Sequence, residues 1–194
     1  MMRILYIIPI VHSAADMGSM AKELEKKGIE KLGREKWEKN QRLIAQFWDQ
    51  AEKELDALKL NYSNVRVYQD GLPIGGEIGM KIVTQTAAKG SRNYQIVQKL
   101  VEKGAMLEET ESKELLIKEY QFVQTFVQAP ADKKNQALQA YEQAKDDLIK
   151  KRDAYIAKQI DTSLKNTEIG ILFIGAHHKV QNKLPKSITI KELK

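Results

Sequence analysis

The feature that most restricts the fold is the run at the start of the chain, where Ile4, Leu5, Tyr6, Ile7, Ile8, Ile10 and Val11 follow one another almost without a polar residue. A strand with one wet face alternates apolar and polar side chains. An unbroken, largely β-branched run must instead be covered on both faces, as in a parallel sheet between layers of helix. The run closes on His12 and Ser13. A basic residue, an apolar stretch and Ser13-Ala14-Ala15 behind it also trace the outline of a short secretory leader. The stretch is at the short limit for one and contains Pro9, so a buried first strand accounts for it better.

Further segments read as strands of the same kind. Val65, Arg66, Val67 and Tyr68 lead at once into the turn Asp70-Gly71-Leu72-Pro73 and the pair Gly75-Gly76. Ile171, Leu172, Phe173 and Ile174 lead into Gly175-Ala176-His177-His178, and the short run Ala105-Met106-Leu107 precedes Glu108, Glu109, Thr110 and Glu111. Residues 187–191 suit an edge strand. Between these segments the pattern is helical. After Met17-Gly18, the residues Trp37, Ile44, Ala51 and Leu58 recur every seven positions, joined by Trp48 and Leu55, with a break or bend at Gly28 and Gly33. A helical segment over about residues 77–103 is interrupted near Gly90-Ser91. Leu116, Tyr120, Val123 and Val127 keep helical spacing up to Ala129-Pro130-Ala131-Asp132, and Tyr141, Leu148 and Tyr155, with Ala137 and Ala144, carry the pattern on to about residue 164.

The expected fold is therefore α/β: a small, mainly parallel sheet with long, coiled-coil-like helical insertions. At 194 residues the chain suits a single domain over residues 1–194, with arms at about residues 34–60 and 115–164. At about 1.5 Å per residue, helices over residues 34–60 and 132–164 would be about 40 and about 50 Å long, against a radius of gyration of about 16 Å for a compact chain of this length. Such arms should project from the sheet and pack on one another, within the chain or across a homo-oligomer.

Composition narrows the chemistry. Without cysteine there is no disulfide, no thiolate nucleophile and no thiolate metal site, so any metal needs imidazole and oxygen ligands, and the chain suits a reducing cytoplasm. The net charge of +6 comes from helices in which lysine and glutamate alternate, as in Lys22-Glu23-Leu24-Glu25-Lys26-Lys27. That is not the basic stripe of a nucleic-acid-binding face. No apolar run approaches the roughly 20 residues that cross a bilayer.

In open parallel sheets ligands bind beyond the carboxyl ends of the strands, where loops bring side chains from separate segments together. All three histidines fall at such places and none on a helical arm: His12 after the first strand, His177 and His178 after the last. Asp70 follows the second strand, and Glu108, Glu109 and Glu111 follow the third. His12, Asp70, His177 and His178 are candidate ligands for a divalent metal such as zinc, manganese or iron, which can bring the pKa of bound water into the neutral range. Without a metal, His12, Asp70, His178 and Glu109 suit a general acid and base set. Each also has an ordinary structural reading: Asp70-Gly71-Leu72-Pro73 as a turn, and the glutamates as first-turn residues of a helix capped by Thr110 or Ser112. Gly75-Gly76-Glu77 and residues 89–93 offer backbone amides to an anion without matching a phosphate-loop or dinucleotide fingerprint, and Lys179, Lys183 and Lys186 would attract an acidic substrate.

Gly175-Ala176-His177-His178 resembles the second Gly-x-x-His motif of the TraB and Tiki superfamily, which also takes in erythromycin esterase-like and ChaN-like proteins. Pro9-Ile10-Val11-His12 stands where the first motif would be, with proline in place of glycine, and Asp70 stands where many members have glutamate. The arginine that usually follows that acid has Arg92 as its nearest candidate. The resemblance spans the two terminal strands and the region around Asp70. It implies a hydrolase-like site, metal-dependent in some members, with activities that differ widely between branches; the expected partner of such a site is a small-molecule or peptide substrate. A different class of function is a non-catalytic module that binds a small ligand at the strand ends and oligomerises through its arms.

Overall fold

The structure is a computed structural model and describes residues 3–13, 16, 21–130 and 132–193. Ala14-Ala15, Met17-Gly18 and Ala131 lie outside the described residues. The apolar runs form β1 (Arg3–Ile10), β2 (Val65–Gln69), β3 (Met106–Leu107), β4 (Ile169–Gly175) and β5 (Ile188–Glu192), joined in one sheet of order β3-β2-β4-β1-β5. Every pairing is parallel. The helices are α1 (Ala21–Leu32), α2 (Arg34–Ala57), α3 (Gly76–Ala88), α4 (Arg92–Glu102), α5 (Lys113–Gln128) and α6 (Lys134–Ser163).

The unbroken runs divide their side chains between two cores. Ile8, Ile10, Val65, Val67, Ile171 and Phe173 face one side, where Trp48, Ala51 and Leu55 of α2 and residues of α3 and α4 cover them. Leu5, Ile7, Tyr68, Leu172 and Ile174 face the other, under Ile156, Ala157 and Ile160 of α6. This is the three-layer arrangement that a doubly buried parallel sheet requires.

The sheet also separates the two longest helices. The carboxyl-terminal half of α2 lies in one core and that of α6 in the other, so these arms do not form one bundle. Instead α2 pairs with α1, where Gly28 leaves room for the Trp37 ring, and α6 pairs with α5, where Phe122 meets Tyr141 with ring centroids 6.4 Å apart. Helix α5 buries none of its side chains and exposes Ile117, Tyr120, Val123 and Val127. Among the described residues no helix is long and apolar enough to cross a membrane.

Register fixes where the strand ends fall. Ile10 lies beside Gly175, and Gln69 beside Phe173, so the chain leaves β1, β2 and β4 at nearly one level. His12, Asp70 and His178 therefore emerge at the same edge, below the α5–α6 hairpin.

Candidate functional site

Asp70 turns inward because the chain reverses directly after it. Leu72 N–H donates to Gln69 O (3.1 Å), Gly71 takes a φ of +78°, and the Leu72 side chain is fully buried. The Asp70 backbone N–H donates to Phe173 O (2.9 Å), and its Oδ2 accepts from Gly175 N–H (3.0 Å). A Cβ at Gly175 would stand 3.1 Å from that same oxygen, so the glycine of the Gly-x-x-His segment admits the carboxylate. The segment then turns, with His178 N–H donating to Gly175 O (3.1 Å), and the imidazole comes down beside Asp70.

The rest of the group comes from α6 and from the loop after β3. Thr110 N–H and Glu111 N–H both donate to Leu72 O (3.1 Å each), and Thr110 Oγ1 accepts from Gln69 N–H (3.0 Å), which ties that loop to the end of β2. Ser112 caps α5 through Leu115 N–H (3.3 Å), as the helix-start reading expects. Glu111, with no exposed side-chain surface, receives Arg152 Nε (3.1 Å) and Nη2 (2.5 Å). Nη2 also donates to Asp70 Oδ1 (2.7 Å), and Nη1 to Glu119 Oε2 (2.5 Å). Asp153, the next residue, accepts from His178 Nδ1 (2.6 Å) and from Lys179 N–H (2.9 Å).

This geometry sets the electrostatics. With Nδ1 donating to Asp153, the ring presents Nε2 to Asp70 Oδ2 at 3.7 Å. Burial pushes Asp70 upward, but the charges of His178 and Arg152 and the bond from Gly175 outweigh it, and the carboxyl lies below its ordinary range. Glu111 goes the other way. Its burial, with the Asp70 charge beside it, outweighs Arg152 and lifts it to about 7. Arg152 is held firmly protonated, because its three carboxylates more than offset its burial. The two neighbouring carboxyls are thus driven apart, the usual preparation of a proton acceptor beside a proton carrier.

Asp70, Glu111 and His178 can hold a metal ion, since one ligand atom from each lies within 4.8 Å of the others. The donor set of one imidazole and two carboxylates fits zinc, manganese or iron. Nε2 and the Asp70 oxygen face each other at 3.7 Å, an ion pair when the ring carries its second proton and two lone pairs open to a cation when it does not. Arg152 already bridges Asp70 and Glu111, so an ion would share those carboxylates with the guanidinium.

The expected site residues separate clearly. Asp70 and His178 belong to the group. His12 and His177 are exposed and line the same cavity of about 330 Å³ as Asp70, Arg152 and His178, without reaching the three ligand atoms. Glu109 stands apart. Its carboxylate accepts from Tyr155 Oη (2.5 Å), while Glu111, two residues on, turns inward. Arg92 does not serve Asp70, being paired with Asp49 and Glu52 of α2, and the arginine at Asp70 is Arg152. Arg152, Asp153 and Glu119 escaped the sequence reading. The signal for the first was present: Leu148, Arg152, Ile156 and Ile160 are four apart on the buried stripe of α6, and a charge in that register needs a partner.

A second cavity, of about 270 Å³, lies on the other side of Asp70 against Gln69, Asn93 and Tyr94. Two atoms buried there, Gln69 Oε1 and Asn93 Nδ2, have no hydrogen-bond partner among the described residues. Burial, with the charges of Asp70 and Asp16, raises the Tyr94 hydroxyl to about 12. Comparison of the chain with protein-family models, with curated proteins and with solved structures finds no match.

Proposed function

We propose that the protein is a metal-assisted hydrolase of the TraB and Tiki kind, with its site at the carboxyl ends of β2 and β4. The observation that carries this reading is the pair Asp70 Oδ2 and His178 Nε2, two donors 3.7 Å apart with the imidazole oriented from behind by Asp153. Asp70, Glu111 and His178 would hold the ion. When bound, it supplies Lewis acidity toward water or a substrate oxygen. The protein's own groups do the rest. Asp153 fixes the tautomer of His178, and Gly175 N–H and Arg152 orient Asp70. His12 and His177 on the cavity wall are available to the substrate.

The test is a panel of activated esters, amides, peptides and phosphate esters, assayed with zinc, manganese and ferrous iron. Hydrolysis that falls at least about a hundredfold in both His178→Ala and Asp153→Asn is expected, since orienting partners and general bases each contribute roughly 10²-fold. Hydrolysis unchanged in folded His178→Ala would end this reading.

One observation favours a second reading. The guanidinium of Arg152 occupies the space between Asp70 and Glu111 that a cation would otherwise fill. In a metal-free site, His178 backed by Asp153 acts as general base and Glu111 as acid. Activity that survives exhaustive chelation but requires His178 selects it. A non-catalytic ligand-binding module is the outcome in which ligands bind and no bond is cleaved.

A further inference from the structure

We propose that the substrate carries an anionic group, a carboxylate or a phosphate, and that this group is held in a lysine-lined cavity next to His178. This deepens the reading above by naming a substrate class for the same site. It rests on that reading only for where the reacting bond lies, not for the binding of the anion.

The cavity, of about 560 Å³, opens between α6 and the segment after β4. Lys145 and Lys150 stand on α6 with Ile149 and Asp153, one helix face at i, i+4, i+5 and i+8, and Lys179 and Lys183 come from the segment after β4. Its carboxylates are Asp146 and Asp153. Asp153 is already engaged by His178 Nδ1 and Lys179 N–H, which leaves four ammonium groups facing one uncommitted acid.

A single solvated lysine would be ordinary on such a face, but here four converge on one cavity whose one uncommitted acid pairs with none of them. Helical ion pairing is open to this same helix, as Lys151 with Asp147 (2.6 Å) shows. Asp146 and Lys150 have the same four-residue helical spacing as Asp147 and Lys151, yet among the described residues none of the four cavity lysines makes an ion pair. Each remains available to an anion.

Position makes the cavity a substrate arm. It shares Lys145, Ile149 and His177 with the cavity that contains Asp70, Arg152 and His178. Asp153 is common to both functions, orienting His178 on one side and clamping Lys179 on the other. The centre itself is rich in carboxylate, with Asp70, Glu111 and Glu119 around Arg152, and would repel an anion. An anionic substrate therefore fits with its charge among the lysines and its reacting bond, a neutral ester or amide, at His178.

The experiment is a backbone amide NMR titration of the full chain in chelator-treated buffer with inorganic phosphate and, separately, succinate. It needs no catalysis, so failure of the hydrolase reading leaves it intact. Shifts confined to Ala176, His177, Lys179 and Lys183 and the facing turn of α6, with affinity at least tenfold weaker in Lys150→Gln/Lys183→Gln and within twofold of the original in Lys99→Gln, are expected. The preferred probe identifies the anion. Binding by neither probe, or equal affinity in the Lys150→Gln/Lys183→Gln variant, overturns the proposal.

Discussion

Arg152 neutralises a buried knot of carboxylates, and Arg152→Met measures how tightly. The side chain is 8% exposed and its three partners are 15% (Asp70), 0% (Glu111) and 24% (Glu119) exposed. Removing one member of a buried ion pair costs about 3–5 kcal/mol, and partial hydration of Asp70 and Glu119 places this variant near the lower end, at about 3 kcal/mol. In a chain of this size each kcal/mol moves Tm by roughly 2–4 °C, so a fall of about 6–12 °C is expected at pH 7.5. The deficit also has a pH signature. Glu111 is raised from 4.5 to about 7, so its contribution is full below pH 4.5 and is lost as pH rises through 7. Without Arg152 its folded-state pKa rises further and the loss grows, so the gap between variant and original protein should narrow as pH falls from 7.5 toward 5. Urea denaturation followed by circular dichroism across that range measures it. A loss below about 1 kcal/mol, or a gap that widens on acidification, refutes the ion-pair account, and Arg152→Met/Glu111→Gln should recover at least half of the loss.

Other expectations follow from the same geometry. Glu111→Gln alone should flatten the pH dependence of stability between pH 4.5 and 7, which thermal melts at matched ionic strength would reveal. Gly175→Ala should fold but crowd Asp70 Oδ2, weakening metal affinity by about tenfold, the scale of lost outer-shell support, as read by isothermal titration. Asn93→Leu removes a buried donor that has no partner among the described residues and should be neutral or stabilising by up to about 1 kcal/mol; a loss above about 2 kcal/mol would show that the amide has a partner. If copies of the chain associate through α5, Tyr120→Glu should lower the mass seen by light scattering without moving Tm. Trp48 is unsuited to that test, because it lies in the sheet core with 1% exposure.

Sequence carried most of the fold because its signals were local. Doubly buried strands read as unbroken apolar runs, and Gly90-Ser91 marks the break between α3 and α4, where Gly90 takes a φ of +96° and Ser91 accepts from Tyr94 N–H. Strand order was not legible, since any of the runs can pair with any other. That order sends α2 and α6 to opposite faces, which a shared heptad pattern cannot reveal. At the site, Asp70 and His178 were found because residues just past strand ends share one edge of a parallel sheet. Glu111 was indistinguishable from Glu109 until the backbone turn at Leu72 decided which of them points inward. Arg152 and Asp153 sit in mid-helix, where a charged residue reads as surface unless the buried register is followed turn by turn.

The central claim is that Asp70, Glu111 and His178 form a metal centre, and metal content tests it most directly. Elemental mass spectrometry after reloading with zinc, manganese or ferrous iron should find close to one ion per chain in the original protein, in His12→Ala and in His177→Ala, and almost none in folded His178→Ala. Uptake by none of these proteins, or equal uptake by His178→Ala, would contradict it.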